Sequence, residues 1–158
     1  MSRKLVIACV ALVVVLFSAG SVFALDVLVP NEQPLHIVLV RKYAMVTNFQ
    51  LYSDLSAKVK AGTIKAMVAD ARALVVIGSV LPLAFADTYS SVYPVQGDKY
   101  FYKGGNDADF MAKAQAFTTA AEELVAIADK EDKAGAEAQV TKLFGTCGAC
   151  HAAYRGSY

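Results

Sequence analysis

Residues 140–156 read VTKLFGTCGACHAAYRG, and this stretch combines a helical pattern with the most reactive side chains of the chain. Its less polar residues recur at the three- and four-residue spacing of one helix face. They are Val140, Leu143, Phe144, Cys147, Cys150, His151 and Tyr154. Gly156 follows them, and glycine commonly ends helices. The stretch therefore predicts an amphipathic helix with two cysteines and a histidine on one side.

Three earlier stretches show the same helical spacing. The first, between Pro34 and Gly62, contains Leu35, Val38, Leu39, Met45, Phe49, Tyr52, Leu55 and Val59. The second, which Pro82 should end, contains Ile64, Met67, Val68, Ala71, Leu74, Val75 and Gly78. The third, opened by Asn106 with Asp109 in its first turn, contains Phe110, Ala114, Phe117, Ala121, Leu124, Val125 and Ala128. Four helices with one apolar face each predict an all-α protein, an antiparallel four-helix bundle.

The connection between the second and third helices is unusually long and aromatic. It runs from Pro82 to Gly105 and holds four of the chain's eight tyrosines, namely Tyr89, Tyr93, Tyr100 and Tyr102. Long connections are usually functional or partly ordered. We expect this one to cross an end of the bundle and cover the core; a docking surface for a partner is the alternative.

The N-terminus has the pattern of a secretory signal. Two basic residues precede the apolar run Leu5–Phe17, and small residues lead to a cleavage point after Ala24. This predicts a signal peptide at residues 1–24 and a domain at residues 25–158. The uncharged segment Leu5–Leu25 could instead remain as a membrane anchor, since it is long enough to cross a bilayer. Both alternatives place the domain in the periplasm.

Composition limits the protein classes that fit this chain. The 158 residues include 15 basic and 14 acidic side chains, a net charge of +1, and 56% are apolar. A nucleic-acid-binding protein would need a basic excess on one face. Disorder is excluded because so apolar a chain can bury enough surface to fold. The length fits one domain.

The sequence Cys147-Gly148-Ala149-Cys150-His151 is C-x-x-C-H, the attachment signal for c-type haem. Cysteines three residues apart share a helix face, so both sulfurs can reach the vinyl groups of one porphyrin. His151 can then offer its imidazole to the iron. A redox-active dithiol is the alternative, but that motif belongs at the start of a helix in a βαβ unit. We predict one covalently attached haem c.

Residues 147–155, CGACHAAYR, resemble the C-terminal signature of class II cytochromes c, the group of cytochrome c′ and cytochrome c-556. Members are four-helix bundles with the haem motif near the C-terminus of the last helix. The resemblance implies thioethers at Cys147 and Cys150, His151 as proximal ligand, and Arg155 near the haem. It also implies a homodimer as one option, because these bundles often pair through their first two helices.

The distal side of the haem decides the function, and four residues are candidates for it: Met45, Met67, Met111 and His36. By spacing alone, Met45 fits a core position. Residues 45–48, Met-Val-Thr-Asn, however resemble the Met-x-x-Asn of low-spin c-556 proteins, in which the methionine is the ligand. We therefore expect Met45 to bind the iron, Met67 and Met111 to lie in the core, and His36 to lie at the surface.

Two arginines are candidates for contacts with the haem propionates. Arg155 follows His151 by one helical turn and could pair with a propionate or stay solvated. Arg41 could make the same contact from the first helix.

Three hypotheses of function follow. The first is a periplasmic, low-spin, c-556-like electron carrier that exchanges electrons with partner proteins and catalyses no reaction, since no nucleophile–base pair is evident. The second is a five-coordinate, high-spin cytochrome c′ that binds nitric oxide or carbon monoxide. The third is a haem subunit docked to a membrane oxidoreductase through the leader or the tyrosine-rich connection.

Overall fold

Helices dominate the chain in a computed structural model that describes residues 33–86, 97–104 and 108–157. The elements, in chain order, are α1 (Gln33–Ala61), a 3₁₀ turn (Ile64–Ala66), α2 (Met67–Ala84), β1 (Tyr100–Tyr102), α3 (Ala108–Asp129), α4 (Lys133–Tyr154) and β2 (Arg155–Ser157). The predicted all-α, four-helix architecture is confirmed in this part of the chain. The predicted signal peptide, the Asn106 cap, and Tyr89 and Tyr93 lie outside the described residues.

Local signals explain three of the helix ends. Gly62 follows α1 with a φ of +74°, a left-handed conformation that glycine adopts without a steric penalty. Asp132 precedes α4 and accepts a hydrogen bond from the Gly135 backbone N–H at 3.0 Å, which makes it the N-cap. Asp109 lies in the first turn of α3, as predicted.

The prediction that Pro82 ends the second helix was wrong. Pro82 lies inside α2, which continues to Ala84. A proline so close to the C-terminus of a helix removes a single backbone hydrogen bond. The last turn of the helix still closes, because the Phe85 N–H donates to the Leu81 carbonyl at 3.0 Å.

The core lies along the inward faces of the four helices. Its fully buried side chains with the largest volumes are Leu55, Met67, Leu74, Leu124 and Leu143. Met67 is thus the core residue that the sequence predicts, and His36 is exposed, also as predicted. The closest backbone approaches among the described helices are those of α2 with α3 and of α3 with α4.

Gly78 explains the close approach of α2 to α3. A Cβ atom at this position would lie 2.5 Å from Thr118 Oγ1 and 2.9 Å from Phe117 Cδ1. Any larger residue would push the two helices apart, so Gly78 permits α2 to pack closely against α3.

Three residues predicted on apolar faces are instead substantially exposed. The exposed fractions are 46% for Met111, 68% for Phe49 and 50% for Phe144. Met111 and Phe144 each follow a buried residue directly, and neighbours on a helix point about 100° apart. Only one residue of such a pair can face the core. The core placement of Met111 was therefore wrong.

A two-stranded sheet joins the end of the long connection to the end of α4. Strands β1 and β2 are antiparallel, with Tyr100 opposite Ser157 and Tyr102 opposite Arg155. The Lys103 N–H extends the pairing by donating to the Tyr154 carbonyl at 2.9 Å. The described part of the connection thus returns to the turn that follows His151.

Candidate haem site

The last two turns of α4 carry Cys147, Cys150 and His151, all half-buried. Both cysteines have free thiols and pack against the hydrophobic core. Their spacing places both sulfurs on the same side of the helix. The three side chains that the sequence predicts as the haem attachment site therefore lie together on one partly accessible face.

Burial sets the protonation of this group. It raises the pKa of both the Cys147 and the Cys150 thiol, so the thiols are protonated at neutral pH. Burial lowers the pKa of His151, and the positive charge of Arg155 lowers it further. The imidazole is thus held in the neutral form, which is the form that binds metals.

Two contacts fix the register between α1 and α4. At one end Tyr52 stacks on Phe144, with ring centroids 4.5 Å apart. At the other end the Arg41 guanidinium lies 5.3 Å from the centroid of the Tyr102 ring, and Tyr102 is the strand partner of Arg155. Arg41 and Tyr52 are eleven residues apart on α1, and Phe144 and Arg155 are eleven residues apart on the segment that contains α4 and β2. The two segments therefore run antiparallel with the same spacing between the two contacts.

This register places Met45 and His151 at the same level. Met45 lies seven residues before Tyr52, and His151 lies seven residues after Phe144. Each distance is about 10 Å along its helix axis at 1.5 Å per residue. Met45 is half-buried and packs against the core. Its thioether thus belongs to the inner face of α1 opposite the attachment helix, while its role as iron ligand stays a prediction.

Arg41 has a structural partner that the sequence did not indicate. It is 4% exposed, and its Nε donates a hydrogen bond to the Ala84 carbonyl at the end of α2. Its guanidinium also lies over the rings of Phe85 and Tyr102. A cation at a helix C-terminus is favourable because the last carbonyls are unsatisfied. Its contact with a propionate stays a prediction.

Arg155 remains exposed, and its guanidinium stacks 4.4 Å from the centroid of the Tyr100 ring. Arg155 is the C-cap residue of α4, and its backbone N–H donates to the His151 carbonyl. Its contact with a propionate also stays a prediction.

An aromatic cluster that the sequence reasoning missed supports the end of α4. Tyr154 packs edge-on against Phe110, with centroids 5.1 Å apart, and its hydroxyl donates to Asp109 Oδ2 at 2.8 Å. Hydrogen bonds from Lys113 and from Tyr154 lower the pKa of the Asp109 carboxyl. The cluster anchors the turn immediately after His151 to α3. The abundance of tyrosine before α3 was the sequence signal that could have predicted this cluster.

Asn48 completes the inner face of α1 beside this site. Its side-chain oxygen is buried and has no hydrogen-bond partner among the described residues. Buried polar atoms are rarely left unsatisfied. Two free thiols, a neutral imidazole, the Phe144 ring and this unsatisfied atom together fit a large, mainly apolar group with a polar centre, such as haem.

Comparison with known proteins identifies the family. A family model described as cytochrome c′ matches residues 36–155. The chain belongs to the cytochrome c′ family. As a member it carries one covalently attached haem c, and Cys147 and Cys150 provide the C-x-x-C-H arrangement near the C-terminus.

Solved structures confirm the four-helix fold of this cytochrome c′ family member. Cytochrome c′ from Rhodobacter Spheriodes is 29% identical, with a TM-score of 0.64 over 78% of this chain and 97% of that one. Cytochrome c′ from Rubrivivax gelatinosus is 19% identical, with a TM-score of 0.63 over the same shares. A ferrous variant of cytochrome c prime from Alcaligenes xylosoxidans with bound NO is 23% identical, with a TM-score of 0.64 over 79% and 97%. No curated protein sequence gives a significant match.

Proposed function

We propose that this protein binds a diatomic gas, nitric oxide or carbon monoxide, on the distal side of its haem c. The observation that carries the proposal is the match of residues 36–155 to the cytochrome c′ family, within which a solved neighbour contains bound NO. This is the second of the three hypotheses. It is better supported than the low-spin, c-556-like hypothesis that the sequence favoured.

Each residue of the site has a defined part in this proposal. Cys147 and Cys150 would hold the haem through thioethers, and His151 would bind the iron as a neutral imidazole. The haem supplies reversible gas binding and one-electron chemistry when bound. Phe49 and Phe144 would cover its faces with their exposed rings. The proposal assigns no catalysed reaction to the protein.

Electron transfer with partner proteins is the second candidate function, and the register between α1 and α4 favours it. Met45 lies at the level of His151 on the opposite helix, where a thioether could serve as the sixth ligand. His/Met ligation would close the distal side and raise the reduction potential.

A Met45→Leu variant separates the two candidates. Leucine has a similar volume but no sulfur, so the substitution should cost little packing energy. For the gas-binding protein we expect the optical spectrum of the ferrous form, before and after carbon monoxide, to stay close to that of the wild type. A change from low-spin to high-spin in Met45→Leu would show that Met45 is an iron ligand. Met111→Leu is the matched control, because Met111 is a half-exposed residue of α3.

We also propose a homodimer, formed by the outer faces of α1 and α2. Val40, Tyr43 and Val46 are exposed on α1, and Val76, Val80 and Leu83 are exposed on α2. The segment Ile64–Ala84 is long and apolar enough to cross a membrane by length and composition alone. A second copy of the chain would cover these faces, as the family resemblance implies.

Charge on this face should weaken the dimer. Adding Tyr43→Lys and Val76→Lys together should raise the dimer dissociation constant by about tenfold or more, because each 1.4 kcal/mol lost is a factor of ten. Sedimentation equilibrium measures this change. Ala126→Lys adds a charge to an exposed position of α3 and should leave the dimer intact. A wild-type protein that is monomeric at high concentration would refute the dimer.

The site of action is proposed as the periplasm. The pattern of residues 1–24 supports export, and cleavage after Ala24 would release residues 25–158 as a free domain. A retained leader would instead hold the domain at the membrane and favour docking to an oxidoreductase there.

A further inference from the structure

Asn48 presents an unusual polar group on the inner face of α1. Its Oδ1 atom is buried and has no hydrogen-bond partner in the part of the chain that the structure describes. A carboxamide has two N–H donors and an acceptor oxygen, and burying it without partners is unfavourable. An apolar side chain would satisfy packing at this position without that penalty. The side chain therefore points to a partner outside the residues that the structure describes.

The position of Asn48 indicates where that partner lies. Asn48 follows Met45 by three residues, so the two side chains lie on the same face of α1 one turn apart. The register set by the Tyr52–Phe144 stack places Asn48 at the level of Gly148, between the two cysteines. Met45 and Tyr52 flank it with a thioether and an aromatic ring. The carboxamide is thus the polar group of an otherwise apolar surface that faces the attachment helix.

We infer that Asn48 is the distal hydrogen-bond donor of the site and stabilises a diatomic ligand through its side-chain N–H. The inference rests on the proposed gas-binding function. Rotation of the carboxamide by 180° exchanges its oxygen and nitrogen with little change in shape, so the N–H can occupy the buried position that Oδ1 occupies here. A bound diatomic gas offers its outer atom as acceptor. Asn48 would thereby favour ligands that carry partial negative charge on that atom.

Infrared spectroscopy of the ferrous carbon monoxide complex tests the inference. A hydrogen bond to the outer oxygen weakens the C–O bond, so Asn48→Leu should shift the C–O stretching band to higher frequency. Loss of one neutral hydrogen bond should also weaken carbon monoxide affinity roughly 2- to 12-fold. Asn48→Gln, which keeps the carboxamide, should recover part of the shift. Thr47→Val is the matched control, because Thr47 is an exposed neighbour on α1.

The outcomes separate this inference from the proposed function. Identical C–O bands in the wild type and Asn48→Leu would overturn the role of Asn48 and leave gas binding intact. A wild-type protein that forms no carbon monoxide complex would overturn both. Should Asn48→Leu fail to fold or to take up haem, the C–O band of the wild-type complex in D₂O gives a second readout. Deuteration of the donor N–H should shift this band, and identical bands in H₂O and D₂O would again overturn the role.

Discussion

Replacing Cys147 and Cys150 together with serine should abolish covalent haem attachment. A hydroxyl cannot take the place of the thiol that adds to a haem vinyl group, so neither thioether forms. The two side chains are half-buried on one face of α4, and serine is small enough to fit both positions. Mass spectrometry of the denatured protein should find the polypeptide alone in the double variant and the polypeptide with one haem in the wild type.

Two controls make this prediction specific. Thr146→Ser changes the neighbouring residue and should keep the haem, and each single cysteine variant should keep the haem through the remaining thioether in part of the molecules. Both experiments need cells that attach haem c. Haem that stays with the denatured double variant would show that Cys147 and Cys150 are not the attachment residues.

Leu124→Ala should lower the free energy of unfolding by about 2–5 kcal/mol, the cost of a cavity in a packed core. Leu124 has no exposed surface and lies in the C-terminal half of α3, the helix that approaches both α2 and α4. Denaturant unfolding of the haem-loaded protein measures the change, because covalent haem stays with the chain in both states.

Met111→Ala on the same helix is the matched control for Leu124→Ala. Met111 is 46% exposed, so its truncation should cost less than about 1 kcal/mol. If both variants lost the same free energy of unfolding, Leu124 would not lie in the core of the bundle.

The helices and the attachment residues could be predicted because their signals are local. Each apolar face has the helical period and needs a partner, and Cys147, Cys150 and His151 sit within one turn and a half of helix. Local sequence does not determine which of two neighbouring apolar residues is buried. Phe144 and Leu143 suit the core equally by type, and only the neighbouring helices decide that Leu143 is buried.

The burial of Arg41 and the presence of the two short strands could not be predicted from the sequence. A charged residue in an amphipathic helix normally faces solvent, and Arg41 is buried because the end of α2 supplies a carbonyl and the Phe85 ring while β1 supplies the Tyr102 ring. Strands of three residues are too short to show an alternating pattern. The register that brings Met45 to the level of His151 likewise depends on side-chain contacts between distant helices.

The proposed function depends on whether Met45 is an iron ligand. The residue type allows both, since a methionine can fill an apolar wall or act as an axial ligand. The family match supports the gas-binding proposal, and the local Met-x-x-Asn pattern supports the electron-transfer alternative. The two alternatives differ in the spin state of the iron and in its access to gas.

The optical spectrum of the purified ferrous protein, recorded before and after carbon monoxide, tests the gas-binding proposal most directly. We expect a broad high-spin spectrum that converts to that of a carbon monoxide complex when the gas is added. Sharp low-spin bands that the gas leaves unchanged would contradict gas binding and would favour an electron carrier with Met45 as the sixth ligand.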